Sequence, residues 1–301
     1  MFTAYVPCKY WKGATPMATS VSAFVHHTGW LETPDHVQLF HQLWIPKNTP
    51  RAAMVIIHGL AEHSSRYVHV ADALAREGIA VAAPDLRGHG RSQGRRAYVP
   101  AFDLLLRDVE IYLERVKEEF AGLPLFLFGH SMGGAIVALF GITRQPDFLN
   151  GLILSGAALK ISDSISPLLV KLSAFLGTVL PWLPTVRLNP DHLSRDTDVV
   201  EMYSTDELVY HGGTPARTGR EIVRATRRIQ EAAEQLTLPV LIMHGTGDQI
   251  TDFRGSQYLY IHAGSTDKTL KLYDGFYHEI LNEPQKHLVL KDLLHWLEER
   301  I

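Results

Sequence analysis

Residues 123–142 read LPLFLFGHSMGGAIVALFGI. The apolar run LPLFLF feeds a Gly-His-Ser-Met-Gly-Gly turn, and AIVALFGI continues at helical spacing. Strand, sharp turn and helix in direct succession leave the central side chain, Ser131, exposed above the sheet, the arrangement of a nucleophile elbow. The small neighbours Gly129, Gly133 and Gly134 let strand and helix approach closely around that turn. The same Gly-x-Ser-x-Gly spacing recurs around Ser92, between Gly90 and Gly94. There DLRGH precedes and GRRAYVP follows, so neither strand nor helix flanks it. Ser131 is the candidate nucleophile and Ser92 a loop residue.

Outward from this stretch, further apolar runs mark strands at Ala53–His58, Ile79–Pro84, Gly151–Ser155, Val240–His244 and Thr269–Tyr273. All but the last are continuous rather than alternating, as in strands covered on both faces. Helical patterns lie between and after them, at Arg66–Glu77, Phe102–Phe120, Ala135–Arg144 and Pro284–Arg300. This alternation predicts an α/β fold with a mostly parallel sheet flanked by helices. Ala23–Trp30 and His36–Ile45 read as an antiparallel pair at its edge. From about Lys160 to Arg227 no strand run appears, and a gap of about 65 residues is too long for an ordinary connection. The expected organisation is an N-terminal arm over 1–20, a core made of 21–159 and 228–301, and an inserted helical cap over 160–227.

The 301 residues carry 29 Lys and Arg against 32 Asp and Glu, a net charge of −3 without any basic block, which gives no footprint for nucleic acid. The single cysteine, Cys8, rules out an intrachain disulfide and a multi-cysteine zinc site. The first residues lack a basic stretch followed by an apolar one, so no signal peptide is read and a cytoplasmic location is expected. The most lipid-like segment, SPLLVKLSAFLGTVLPWL (166–183), is interrupted by Lys171 and Pro181 and falls short of the roughly 20 apolar residues of a spanning helix. It is expected to be a buried or surface-docked helix, with membrane contact at most peripheral.

A serine hydroxyl needs a base to take its proton and a carboxylate to orient that base. On a sheet bearing an elbow these follow in the order Ser, Asp or Glu, His, on turns after late strands. Asp248, in LPVLIMHGTGDQI, and His278, in TLKLYDGFYHEILNEP, meet that requirement. His287 and His295 fall within the last helix, His262 precedes the last strand, and Asp274 is placed to cap a turn. The oxyanion donors would be the backbone N–H groups of Met132 and of Leu60, in the loop after the strand ending at His58. His58 and His63 have no third ligand or H-E-x-x-H spacing, so no metal is expected.

Taken together, HGLAEHSSRY (58–67), DLRGHGRSQG (85–94), LPLFLFGHSMGGAI (123–136), NPDHLSRDTDVVEMYSTDELVYHGG (189–213), HGTGDQI (244–250) and TLKLYDGFYHEILNE (269–283) resemble the monoacylglycerol lipase branch of the α/β-hydrolases. The resemblance covers about residues 27–299, cap included. It implies the α/β-hydrolase fold and a cofactor-free serine esterase acting through Ser131, Asp248 and His278 on single-chain lipids such as monoacylglycerols or lysophospholipids. It further implies that 166–183 forms the lipid-touching mouth, and that Glu62 and Arg66 face the glycerol hydroxyls, with Tyr203 a further pocket residue. The pair Glu62 and Arg66 has a second reading, a surface ion pair one helical turn apart. His130 reads as a packing residue. A short-chain carboxylesterase, an iminopeptidase-type peptidase and a non-catalytic binding homologue stand as rival readings; oligomeric state is left open.

Overall fold

The computed structural model describes residues 23–160 and 175–301. The expected arm over 1–20 and residues 161–174, which include 166–174 of the apolar segment, lie outside the described residues.

One eight-stranded sheet organises the chain. Its strands are β1 (Phe24–Glu32), β2 (Gln38–Pro46), β3 (Ala52–Ile57), β4 (Ile79–Pro84), β5 (Leu125–His130), β6 (Gly151–Ser155), β7 (Val240–Gly245) and β8 (Lys268–Tyr273). They lie in the order β1-β2-β4-β3-β5-β6-β7-β8. β1 pairs with β2, and β2 with β4, antiparallel; every later pairing is parallel. Helices among the described residues include α1 (Val68–Arg76), α2 (Phe102–Glu119), α3 (Met132–Arg144), α4 (Thr197–Thr205), α5 (Ala216–Glu231), α6 (Phe253–His262) and α7 (Lys286–Glu298).

The continuous apolar strands are explained by two cores, one on each face. Along β3, Val55 and Ile57 point to one face and Met54 and Ile56 to the other, and in β5 Leu125 and Leu127 alternate likewise with Phe126 and Phe128. The first face is covered by apolar residues of α2, α3, α5 and α6, the second by those of α1 and α7. β8, at the sheet edge, is only half-buried, and its Lys271 reaches Asp292 on α7. Its mixed Thr-Leu-Lys-Leu pattern follows from that position.

Two details differ from the sequence expectation. The helix expected from Arg66 begins as a single 3₁₀ turn, Ser64–Tyr67, before α1. The expected cap–core boundary at 227–228 falls inside α5, because Ala225 and Ile229 of that helix are buried on the first face beside α3. Between β6 and β7 the described residues hold helices and turns, with one isolated bridge, Pro184 to Pro215. Phe175, Val179, Leu180, Trp182, Leu183 and Val186 of this region are exposed.

Candidate functional site

In parallel sheets ligands bind beyond the carboxyl ends of the strands, where the strand order reverses. Here the reversal lies between β3 and β5, since the chain leaves β3 for β4 on one side and then returns to β5 on the other. The candidate nucleophile sits there. Ser131 follows β5 with φ 54° and ψ −117°, a region sparsely populated by residues with a side chain. The surroundings hold it: its N–H donates to the Ser155 carbonyl (3.0 Å), and its own carbonyl accepts from Ala135 (3.1 Å) and Ala158 (3.0 Å). A Cβ on Gly133 would lie 2.1 Å from the Ile57 carbonyl oxygen, and one on Gly129 would lie 2.3 Å from that of Gly133. Only glycine permits this approach. Met132 opens α3, so its N–H has no intrahelical acceptor and lies at the positive end of the helix dipole.

Ser92 is spent on structure. Its buried hydroxyl donates to the Asp85 carbonyl (2.6 Å) and accepts from the Phe40 N–H (2.8 Å), tying its loop to β2.

Asp248 follows β7. Its Oδ1 accepts from the backbone N–H groups of Ile250 (2.8 Å) and Thr251 (3.0 Å). Its Oδ2 lies 2.7 Å from His278 Nδ1, 2.8 Å from the Thr251 hydroxyl and 3.0 Å from His244 Nε2. Burial pushes the carboxyl up, but His278 and His244 outweigh it and hold it well below the usual carboxylate range. His278, in the turn after β8, is buried against His130, with ring centroids 4.7 Å apart. Burial alone pushes its imidazole down; the Asp248 charge and hydrogen bond, aided by Glu279 and Glu62, overcome this and raise it above the ordinary histidine value. With Nδ1 on the carboxylate, Nε2 is the nitrogen left for chemistry. His130 donates from Nδ1 to the Ser155 carbonyl (3.0 Å) and is pushed down to about 4, by burial first and then by His278. That agrees with packing. Asp274 accepts from the Thr246 hydroxyl (3.1 Å), holding the turn.

The loop from His58 to His63 closes the other side. Gly59 comes so near the candidate nucleophile that a Cβ there would lie 3.1 Å from the Ser131 Cβ. Its N–H donates to Glu62 Oε1 (2.6 Å), which also accepts from the Tyr67 hydroxyl (2.8 Å). Glu62 and Arg66 form neither a surface pair nor a free polar edge. Arg66 bridges Glu62 Oε2 (3.1 Å) and both oxygens of Glu279 (2.5 and 2.8 Å), with all three side chains nearly buried. Burial pushes both carboxyls up, and the guanidinium between them brings both down. The cluster thus clamps the Leu60 loop to the turn that carries His278. His58 donates to the Gly59 carbonyl and accepts from the Leu86 N–H, and His63 pairs with Asp206. Among the described residues no group of three His, Cys, Asp or Glu is arranged for a metal ion.

Leu60 and Ala61 line a cavity of about 280 Å³ with Ala97, Leu188, Tyr203 and Tyr210. Tyr203 is buried on α4, and its ring lies under Arg66, 4.8 Å from the guanidinium carbon. The sequence reading left out Glu279, Thr251 and His244. Adjacency to His278 and the four-residue spacing of His244 from Asp248 were the available signals.

A family model described as serine aminopeptidase, S33, matches residues 48–285. The monoacylglycerol lipase of Mycolicibacterium smegmatis is 38% identical over 261 residues, covering 87% of this chain and 93% of that protein. The human monoglyceride lipase is 34% identical over 272 residues, covering 90% of each. The crystal structure of Paleococcus ferrophilus monoacylglycerol lipase superposes with a TM-score of 0.79 at 32% identity, covering 87% of this chain and 99% of that one. The sheet and its flanking helices are therefore the α/β-hydrolase fold.

Proposed function

Because the chain belongs to the serine aminopeptidase S33 family of α/β-hydrolases, with monoacylglycerol lipases among its relatives, we propose that it hydrolyses carboxylic esters of single-chain lipids, monoacylglycerols foremost, through an acyl-enzyme on Ser131. The observation that most supports this is the 2.7 Å pairing of His278 with Asp248 at the same end of the sheet as the strained Ser131 turn. In this reading His278 Nε2 takes the Ser131 proton as the hydroxyl oxygen attacks the ester carbonyl. The N–H groups of Leu60 and Met132 hold the resulting oxyanion, each worth about 3–4 kcal/mol to the transition state. The imidazolium returns its proton to the glycerol oxygen, which leaves. Water then attacks the acyl-enzyme by the same route and releases fatty acid.

Residues 160–227 act as the cap in this proposal. The cavity beside Leu60 and Tyr203 takes part of the substrate, and the exposed side chains from Phe175 to Val186 meet the lipid surface. No helix among the described residues is long and apolar enough to cross a membrane, and the contact proposed through this face is a peripheral one.

Labelling with a fluorophosphonate probe tests the chemistry. Wild type and Ser92→Ala should label, while Ser131→Ala should not and should lose ester hydrolysis while staying folded. Labelling that persists in Ser131→Ala overturns the assignment. A panel crossing acyl length with head group tests the substrate, and faster turnover of a short-chain ester or a proline amide than of a long-chain monoacylglycerol rejects the lipid reading.

A further inference from the structure

β7 places a second histidine on the candidate carboxylate. His244 is fully buried, and its Nε2 lies 3.0 Å from Asp248 Oδ2. Its other nitrogen, Nδ1, lies 2.7 Å from the hydroxyl of Ser256, itself buried on α6. A hydroxyl donating to Nδ1 leaves the ring proton on Nε2, facing the carboxylate. A carboxylate offers about four lone-pair sites. Asp248 receives two backbone N–H groups on Oδ1, and on Oδ2 the Thr251 hydroxyl and both imidazoles. The Thr251 proton also has an alternative acceptor, the Gly156 carbonyl at 2.9 Å. Among the described residues His244 has no such alternative on its Nε2 side beyond the same Thr251 oxygen, at 3.2 Å. The carboxylate's orientation is thus decided from behind as well as from the side of His278.

We propose that His244, held by Ser256, is a positioning residue: its Nε2–H fixes Asp248 Oδ2 in the orientation that aims His278 at Ser131. The inference rests on the reading of Ser131, Asp248 and His278 given above. His244 would not touch substrate. Its effect passes through Asp248 to the geometry and basicity of His278, which is also faced by His130 from β5, by Glu62 from the loop after β3 and by Glu279 beside it.

The test compares His244→Leu, His244→Gln and Ser256→Ala on a soluble nitrophenyl ester, with kcat, KM and the pH dependence of kcat/KM measured separately. A glutamine amide reaches the place of Nε2 and donates; leucine fills the space without donating. His244→Leu should lower kcat about 10- to 100-fold, the worth of one hydrogen bond to a charged group, with KM little changed. It should also move the acid limb upward, because a carboxylate with one donor fewer holds the His278 proton more tightly. His244→Gln should restore most of kcat, and Ser256→Ala should fall between. Equal losses in the leucine and glutamine variants mark a purely structural role and overturn the inference, as does a folded leucine variant with wild-type kcat and acid limb. If His244→Leu does not fold, wild-type kcat and an unshifted limb in Ser256→Ala overturn it. Absence of fluorophosphonate labelling in the wild type is a different failure, that of the underlying function.

Discussion

At His278, the base of the proposed mechanism, two opposing effects set the charge. Burial disfavours the imidazolium, while Asp248 at 2.7 Å, with Glu279 and Glu62 near, favours it, and the raised value means that the carboxylates win. In the proposed mechanism His278 must be unprotonated to act, so kcat/KM should fall as pH drops through that raised value. The midpoint of the acid limb should therefore lie above about 6.5, the ordinary histidine value. A profile of kcat/KM on a soluble ester checks this, and a midpoint clearly below that value contradicts it. At the same scale, Ser131 and Ser92 carry identical local spacing, and only their flanks separate them. The structure shows why flanks matter. Ser131 closes a strand and opens a helix, while the Ser92 hydroxyl is consumed by Asp85 and Phe40.

Among the elements, the loop after β3 and the turn after β8 are joined by Arg66 between Glu62 and Glu279. Removing the cation leaves two buried carboxylates facing each other. Arg66→Met should cost about 3–5 kcal/mol at neutral pH, read from urea unfolding. Both carboxyls are depressed in the folded protein, so their stabilisation is present above the ordinary carboxylate range and is lost as pH falls through the depressed values. The deficit of Arg66→Met should accordingly shrink in acid, where protonation relieves its two carboxylates, and a deficit constant with pH would contradict the charge argument. Element existence was legible because β3 through β7 are buried on both faces and read as unbroken apolar runs. The end of α5 was not, since its buried Ala225 and Ile229 lie in a helix that begins outside the expected core.

For the whole molecule, the exposed face bearing Phe175, Val179, Trp182 and Val186 predicts a division of labour. Val179→Asp with Trp182→Asp should weaken partition onto monoacylglycerol-containing vesicles about tenfold or more, given about 1.5–3 kcal/mol per large apolar side chain buried. Turnover of a soluble short-chain ester should stay near wild type; an equal loss on both substrates would mean that the face serves the fold instead. The sequence alone determined what depends on neighbouring residues. It specified the alternation of strand and helix, the strand–turn–helix flanks of Ser131, and the chain order on which the proposal for Asp248 and His278 rests, because apolar periodicity and turn chemistry act over a few positions. Only the tertiary structure decided what those residues meet. Glu279 reaches Arg66 across 213 positions, and His278 reaches Asp248 across 30. His244 reaches that carboxylate, and Ser256 behind it, only because β7, its turn and α6 fold back together. Such partners are matched by the sheet's crossovers, which bring distant chain segments to one end of the strands, and no local pattern records that match.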